Sequence, residues 1–199
     1  KLYDLNDSEI KFIGIPSLDD FFREISLLKP DTGIEKYFIL IDTCFIDYHK
    51  PISQAQIQRC YQTLATYCRQ NDAKLYIKLH PRNYMSPGLI DDDSISFIRN
   101  IEMAALAKLI INSKGCFGFY STLTMPIAFI RPTIQIKFDD IVEPALAANN
   151  ITPVLDFYTF QVSDIQFHPF DDIHTELKTR FLFATDGNSA ERLKEILLN

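Results

Sequence analysis

Runs of consecutive apolar residues alternate along this chain with stretches in which apolar residues recur at every third or fourth position. A run without polar interruption, such as residues 37–41, is typical of a strand that is buried on both faces of a sheet. Spacing by three and four places side chains on one side of a helix, so the recurring patterns predict helices. The runs that predict strands are residues 11–15, 37–41, 74–79, 95–98, 116–120 and 133–136. The recurring patterns predict helices that begin near residues 17, 53, 101, 122, 143 and 189.

The order of these elements predicts the class of fold. Strands that are separated by helices need crossover connections, which make the sheet parallel and cover both of its faces with helices. We therefore predict an α/β fold with a Rossmann-like, doubly wound and mostly parallel sheet. Residues 1–199 are predicted to form a single domain, with its core at about 37–150 and a C-terminal extension at 151–199. The aromatic-rich stretch 152–183 in this extension has no pattern that assigns it to an element.

The composition indicates a folded protein without a broad affinity for nucleic acid. Of the 199 residues, 47% are hydrophobic and 23% are charged, which is sufficient for one domain with a substantial core. The formal net charge of -6 disfavours a wide contact with a phosphate backbone, because such a contact needs clustered Lys and Arg. Any phosphate is therefore expected to bind locally.

The cysteines and the N-terminal pattern bear on where the protein works. The four cysteines lack CxxC spacing and lie in apolar or helical contexts, so we expect buried, reduced thiols rather than a metal or redox site. No apolar run is long enough to cross a bilayer, and the N-terminus lacks the pattern of a signal peptide. We expect a soluble, cytoplasmic protein, and peripheral association with the inner face of the membrane through a missing segment stays open.

Two of the predicted strands end in residues that are suited to binding a phosphate. His80 and Arg82 follow the third predicted strand, and Ser121 and Thr122 follow the fifth. Ligands of open parallel sheets bind beyond the carboxyl ends of the strands, so both groups are expected at one edge. The imidazole and the guanidinium can each donate a hydrogen bond to a phosphate, worth about 1.5–3 kcal/mol net. The two hydroxyls, with the amides of the helix that follows, can receive the same phosphate. We therefore predict a site for a nucleotide or nucleotide-sugar.

Each half of this pattern also has a simpler interpretation. A His-Pro pair at the end of a strand is often a turn with a surface histidine, and Ser-Thr before a helix is often only an N-cap. Their occurrence together favours the phosphate site over these alternatives. A second pair, His168-Pro169, lies near phenylalanines and is assigned to packing, and the acidic run 91–93 is assigned to a solvated loop. The chain has no Walker, GxGxxG, HExxH or GxSxG motif, which removes the commonest nucleotide-binding and hydrolase classes.

The two motifs resemble those of a known group of enzymes. Residues 76–82, YIKLHPR, and residues 118–122, GFYST, are similar to the HP motif and the serine/threonine motif of bacterial GT-B sialyltransferases. The resemblance is greatest to the lipooligosaccharide sialyltransferases and the capsular polysialyltransferases, and it covers about residues 37–136. It implies one Rossmann-like half of a GT-B glycosyltransferase that transfers sialic acid from CMP-sialic acid to a glycan acceptor during synthesis of lipopolysaccharide or capsule. It also implies a reaction without a metal ion or another cofactor.

The resemblance implies roles for individual residues. His80, Ser121 and Thr122 correspond to the residues on the CMP phosphate, and Arg82 matches the arginine that follows HP in the lipooligosaccharide enzymes. In a glycosyl transfer the nucleotide phosphate is the leaving group. His80 is therefore expected to act as an acid or as an electrostatic stabiliser while negative charge develops on that phosphate.

The catalytic base is less well defined by the resemblance. The related enzymes place a carboxylate upstream of HP, in some members within an acidic-acidic-Gly tripeptide, and this chain has no such tripeptide. Asp42 and Asp47 are the nearest positional candidates for a base that must reach the acceptor hydroxyl. For Asp42, bracing of the loop is an equally good interpretation.

GT-B enzymes have two Rossmann-like domains with the active site between them, and the pattern predicts little more than one here. A second domain is therefore expected to be missing or reduced, and the isolated chain is expected to bind nucleotide weakly and to turn over little. The expected partners are a nucleotide-sugar donor and a glycan acceptor, without nucleic acid, and a homodimer stays open. Two other functions also stay open: a transferase for another CMP- or CDP-activated group, such as Kdo or glycerol phosphate, and a non-catalytic Rossmann-like binding module.

Overall fold

The computed structural model describes residues 13–29, 36–44, 52–82, 90–139, 141–169, 178–179 and 181–198. Within these residues the strands are β1 (Tyr37–Ile41), β2 (Lys74–Lys78), β3 (Ile95–Ile98), β4 (Cys116–Gly118), β5 (Thr133–Lys137) and β6 (Val154–Asp156). The α-helices are α1 (Asp19–Leu27), α2 (Gln54–Gln70), α3 (Met103–Asn112), α4 (Thr124–Ala128), α5 (Pro144–Ala148) and α6 (Ser189–Leu198). None of the described helices combines the length and the apolar character that crossing a membrane requires.

The six strands form one sheet in the order β3-β2-β1-β4-β5-β6, and every neighbouring pair is parallel. The prediction of a Rossmann-like, doubly wound parallel sheet is confirmed. The chain builds the sheet outward from β1 to β3 and then, on the other side of β1, from β4 to β6. The reversal lies between β1 and β4, and open α/β sheets bind their ligands at this point, beyond the carboxyl ends of the strands.

Strand β1 lies at the centre of the molecule. All five of its residues are buried, as its uninterrupted apolar run predicts. Its side chains alternate between two layers of the core because successive residues of a strand point to opposite faces. Phe38 and Leu40 pack in the layer that includes the apolar side of α2. Ile39 and Ile41 pack in the layer that includes α1 and α3. The strand therefore connects both halves of the core.

Helix α2 begins at a capping box. The Ser53 hydroxyl accepts a hydrogen bond from the Gln56 amide, and the Gln56 side chain accepts one from the Ser53 amide. The buried side of the helix carries Cys60 and Cys68 among apolar residues. The predicted burial of the cysteines is confirmed, because all four are free and buried. Burial raises the pKa of the Cys68 thiol to about 12, which keeps it protonated.

The predicted strand at residues 11–15 is wrong over its described part. Residues 13–15 are irregular, and a 3-10 turn follows directly at Pro16–Leu18. The Ile15 carbonyl accepts a hydrogen bond from the Leu18 amide, so it serves the turn rather than a sheet. Gly14 has a φ of 91°, which is outside the range of a strand.

The sheet continues past residue 150, where the sequence pattern predicts the end of the core. Strand β6 pairs in parallel with β5 and forms the edge of the sheet. It has three residues, and Val154 is exposed, so no apolar run marks it in the sequence.

A buried carboxylate joins the first helix to the last. Asp19, at the start of α1, accepts hydrogen bonds from the amides of Ser189 at 3.0 Å and Ala190 at 2.7 Å, the first two residues of α6. Such amides have no partner within their own helix, so Asp19 acts as a cap from a distant part of the chain. Burial alone would raise the pKa of Asp19, but the hydrogen bonds from Ala190 and Ser189 outweigh it and the pKa lies below its usual value.

Asp19→Ala is expected to lower the free energy of unfolding by about 1–2 kcal/mol at neutral pH, because two helix amides lose their acceptor. Since the folded pKa is depressed, the contribution of Asp19 is present above the unfolded pKa and is lost as the pH falls through the folded value. Urea unfolding at neutral and at acidic pH measures both effects. Asp20→Ala, which removes an exposed ion pair with Arg23, is the control and is expected to have little effect. Equal losses in the two variants would contradict the capping role.

Candidate functional site

The loops that follow β2 and β4 flank the end of β1 at the carboxyl edge of the sheet. Ile41, the last residue of β1, is paired with Lys78 of β2 on one side and with Gly118 of β4 on the other. His80 follows β2 after one intervening residue and Ser121 follows β4 after two, so both lie where the chain leaves the sheet at the same edge. Neighbouring strands are about 4.8 Å apart, so the two chain exits are roughly 10 Å apart with β1 between them.

The side chain of His80 has a defined arrangement of donor and acceptor atoms. Its Nδ1 atom accepts a hydrogen bond from the Arg82 amide at 3.2 Å. A ring nitrogen that accepts carries no proton, so the neutral imidazole has its proton on Nε2, which is then a donor. The loop after β1 contacts the turn at Pro81 and Arg82, because the Cys44 thiol donates to the Arg82 carbonyl at 3.9 Å. A donor at Nε2 suits a phosphate oxygen.

Ser121 and Thr122 form a turn before α4 rather than the start of that helix. The Thr124 amide donates to the Ser121 carbonyl at 2.9 Å, and the Leu123 amide donates to the Ser121 hydroxyl at 3.4 Å. Helix α4 begins at Thr124 and has five residues. A helix of little more than one turn has a small dipole, so its amides contribute less to anion binding than the sequence pattern predicts. What the turn offers a phosphate is two hydroxyl groups.

A hydrogen bond and a close contact hold the turn of Ser121 and Thr122 against β4. The Thr124 hydroxyl donates to the Phe119 carbonyl at 2.7 Å, just beyond the end of the strand. A Cβ atom on Gly118 would lie 2.8 Å from that hydroxyl oxygen. Glycine is therefore needed at residue 118 for the turn to keep its position beside β1.

A buried carboxylate lies at the end of β1, between the two loops. Asp42 is 2% exposed and accepts a hydrogen bond from the Tyr61 hydroxyl of α2 at 2.8 Å. Burial, the charge of Asp42 and this hydrogen bond raise the pKa of Tyr61 well above its usual value, so the hydroxyl remains a donor. Burial lowers the pKa of Lys78, at the end of β2, and the charge of Asp42 opposes that shift. The three side chains form a partly buried polar group beside His80.

This burial bears on the two candidates for the catalytic base. A base must come within hydrogen-bond distance of the acceptor hydroxyl, and the carboxylate of Asp42 is turned inward to Tyr61 instead. The arrangement favours the bracing interpretation of Asp42, and its role as base stays a prediction. Asp47 lies outside the described residues.

An open depression lies over the ends of β2 and β3. Its volume is about 470 Å³, and it is lined by Lys78, Pro81, Arg99, Asn100, Ile101 and Glu102. Sequence reasoning missed Lys78 because it lies within an apolar strand run, and it missed Arg99 because a single arginine in a loop carries no pattern. The sequence feature that could have identified Lys78 is a lysine at the end of a strand, two residues before the His80-Pro81 pair.

Phenylalanines close the other half of the carboxyl edge. Phe119, Phe138 and Phe157 directly follow β4, β5 and β6, and each is at most 1% exposed. The Phe157 ring centroid lies 6.0 Å from that of Phe119 and 5.4 Å from that of Phe138. Packed aromatic rings exclude water from this part of the edge. The polar groups are therefore concentrated over β1, β2 and β3 and in the turn after β4.

Other candidates from the sequence lie elsewhere. Phe167, next to His168, stacks on Phe38 with centroids 5.4 Å apart. Its ring would contact a Cβ on Gly115, which precedes β4 at the opposite edge of the sheet, so the second His-Pro pair belongs to a packed region. Asp92 of the acidic run pairs with Arg69. Across the described ranges, no three His, Cys, Asp or Glu side chains are grouped as metal ligands would be.

Comparisons with known proteins address the fold. No protein-family model matches this chain, and no curated protein matches it in sequence. The solved structure of UDP-GlcNAc 2-epimerase from Methanocaldococcus jannaschii, in complex with UDP-GlcNAc and UDP, matches with a TM-score of 0.63 at 13% identity, over 98% of this chain and 56% of that one. A second UDP-N-acetylglucosamine 2-epimerase matches with a TM-score of 0.56 at 12% identity, over 98% of this chain and 52% of that one.

The chain thus spans little more than half the length of these two structures. At this level of identity the likeness concerns the fold alone. The six-stranded, all-parallel open sheet resembles one Rossmann-like half of the GT-B glycosyltransferases, as the sequence motifs predict. The wall teichoic acid polymerase TagF matches with a TM-score of only 0.48 at 14% identity, which is too low to establish a common fold.

Tyr61→Phe is expected to lower the free energy of unfolding by about 2–3 kcal/mol, because the buried carboxylate of Asp42 loses a donor. Tyr67→Phe is a matched control on the same helix, since no hydrogen bond from the Tyr67 hydroxyl is found among the described residues, and it is expected to have little effect. Urea unfolding of the two variants at neutral pH gives the comparison. If Tyr61→Phe costs no more than Tyr67→Phe, the hydrogen bond does not support the edge of β1.

Proposed function

We propose that this chain is the nucleotide-sugar-binding half of a GT-B-type glycosyltransferase. The observation that carries the proposal is the position of His80 and Ser121 on either side of β1, at the point where the strand order of a parallel sheet reverses. Folds of this kind bind nucleotides at that point. Additional support comes from the similar epimerase structure, which contains UDP-GlcNAc and UDP.

The proposed chemistry is stabilisation of a nucleotide phosphate as it leaves the sugar. The Nε2 proton of His80 and the guanidinium of Arg82 donate to phosphate oxygens, and the hydroxyls of Ser121 and Thr122 donate from the other side of β1. Negative charge on the phosphate increases as the glycosidic bond breaks, so these donors bind the transition state more tightly than the ground state. This proposal includes no metal ion, in keeping with the metal-free reaction that the motifs imply.

We propose CMP-sialic acid as the donor, because the HP and Ser/Thr motifs occur in the order found in the sialyltransferases. The acceptor is then a glycan of a surface polysaccharide. A donor that carries another CMP- or CDP-activated group uses the same phosphate contacts, so the nucleotide must be determined by experiment.

A second candidate function is a binding module without catalysis. The specific observation in its favour is the burial of Asp42, which leaves the described edge without an exposed carboxylate directly after β1. Incubating the longest natural form of the protein with CMP-sialic acid and a galactose-terminated acceptor separates the two functions. Release of CMP that depends on the acceptor supports the transferase, and binding without release supports the module.

His80→Ala is expected to weaken the binding of CMP about tenfold, because the phosphate loses a charge-assisted or strong neutral hydrogen bond. Isothermal calorimetry with CMP, CDP and UDP, in the presence of EDTA, measures the affinity and identifies the preferred nucleotide. A double variant, Ser121→Ala with Thr122→Ala, is expected to weaken CMP by a similar factor.

His168→Ala is the matched control for these measurements, because that histidine neighbours Phe167 in the packed region near Gly115. It is expected to leave the affinity for CMP unchanged. The proposal is rejected if no nucleotide binds to the unsubstituted chain at millimolar concentration, or if His80→Ala and His168→Ala bind CMP equally well.

A further inference from the structure

Tyr120 directly precedes the two hydroxyl groups of the proposed phosphate site. It lies in the chain between Phe119, which is 1% exposed, and Ser121. Tyr120 itself is 49% exposed, so much of its side chain is accessible to a ligand. No hydrogen bond from its hydroxyl and no contact of its ring with another ring is found among the described residues. Its ring therefore lies beside the site without a role in the aromatic packing that closes the neighbouring part of the edge.

The backbone on both sides of Tyr120 is fixed. The Phe119 amide donates to the carbonyl of Ile41, the last residue of β1, at 3.2 Å, and the Phe119 carbonyl accepts from the Thr124 hydroxyl at 2.7 Å. On the other side, the Ser121 carbonyl accepts from the Thr124 amide at 2.9 Å. Tyr120 is thus held beside the end of β1, and a tyrosine side chain has only two rotatable bonds to its ring. Binding of a ligand to this ring therefore costs little conformational entropy.

The groups assigned to the phosphate leave the rest of a nucleotide without a partner. The imidazole, the guanidinium and the two hydroxyls offer no flat apolar surface to a base. An aromatic side chain does, because a nucleobase stacks on it through its π face. Consecutive Cα atoms are about 3.8 Å apart, so the ring of Tyr120 starts one residue from the hydroxyl of Ser121. The base of a nucleotide is one ribose away from its phosphate and is therefore within reach of this ring.

Tyr158 shows what an exposed tyrosine of the aromatic part looks like. It is 36% exposed, but its ring centroid lies 5.4 Å from that of Phe138 and 5.2 Å from that of Phe157. It also follows β6, three strands away from β1, which is about 14 Å at the usual strand spacing. Tyr158 therefore belongs to the packed rings, whereas Tyr120 lies next to the strand that separates the two halves of the site.

We propose that the ring of Tyr120 stacks on the base of the bound nucleotide. This inference rests on the proposed function, and it assigns the nucleoside to the β4 side of the site, across β1 from His80. The contact favours nucleotides over simple phosphate esters. It distinguishes little between bases, because every base has a π face.

Titration with CMP and with ribose 5-phosphate tests the contact, because the two ligands share the ribose and the phosphate and differ by the base. Backbone amide NMR signals measure both affinities, including weak ones. Ribose 5-phosphate is expected to bind the unsubstituted chain about five- to thirtyfold more weakly than CMP. Tyr120→Leu keeps an apolar side chain at an exposed position and removes the ring, and it is expected to reduce this difference to about twofold.

Two further variants make the test specific. Tyr120→Phe keeps the ring and is expected to bind CMP within about twofold of the unsubstituted chain. The chain has nine tyrosines and no tryptophan, so tyrosine emission can be measured directly. Saturation with CMP is expected to quench this emission less in Tyr120→Phe, because the stacked tyrosine is absent. Tyr158→Leu is the matched control at the same edge, and it is expected to leave both affinities unchanged.

The possible outcomes separate the stacking contact from the proposed function. The contact is overturned if Tyr120→Leu keeps the full preference for CMP, or if CMP quenches Tyr120→Phe and the unsubstituted chain equally. The phosphate site still stands in either case if His80→Ala weakens CMP. An equal loss of preference in Tyr158→Leu assigns the effect to the edge as a whole and also overturns the contact. If the unsubstituted chain binds neither ligand at millimolar concentration, the proposed function fails and the stacking contact fails with it.

Discussion

The candidate site depends on the pairing of β1 with β2 on one side and with β4 on the other, both in parallel. Because the three strands run in the same direction, His80 and Ser121 leave the sheet beside the same residue, Ile41, although about forty residues separate them in the chain. Burial of β1 on both faces fixes this arrangement. A slip of one residue would move Phe38 and Leu40 from the layer of α2 to the layer of α1 and α3, which the packing of both layers opposes.

The same pairing divides the carboxyl edge into two unlike parts. On the side of β4, β5 and β6, each strand is followed by a buried phenylalanine, and the edge is closed. On the side of β1, β2 and β3, the strands are followed by Asp42, His80 and Arg99, and the edge is open. The hydrogen bond from Tyr61 to Asp42 links this open part to α2. A ligand that enters the edge therefore meets polar groups where the sheet reverses its order, and the aromatic part supports them from the side.

The sequence pattern predicts the central part of this fold well because the central strands are continuous apolar runs, and a run buried on both faces leaves a clear signal. It predicts the margins less well. Strand β6 has three residues and an exposed valine, so its pattern is too short to identify a strand. The turn that follows Ile15 depends on Gly14 and Pro16, which interrupt an apolar run but do not indicate which structure forms there. The roles of Lys78 and Tyr61 could not be predicted, since each counts as part of an apolar pattern and its polar atom acquires a partner only through packing.

The polar groups of the open edge are mainly hydrogen-bond donors. The described residues of the candidate site are therefore suited to stabilising negative charge rather than to accepting a proton. The Nε2 proton of His80, the guanidinium of Arg82 and the ammonium of Lys78 all stabilise negative charge, which is what a departing nucleotide phosphate requires. Asp42 has the opposite chemistry, but its carboxylate accepts from Tyr61 and is nearly sealed from solvent. Its burial and the hydrogen bond from Tyr61 hold this carboxylate away from an acceptor hydroxyl, so the geometry favours bracing of α2 against β1 by Asp42 over a role as the base.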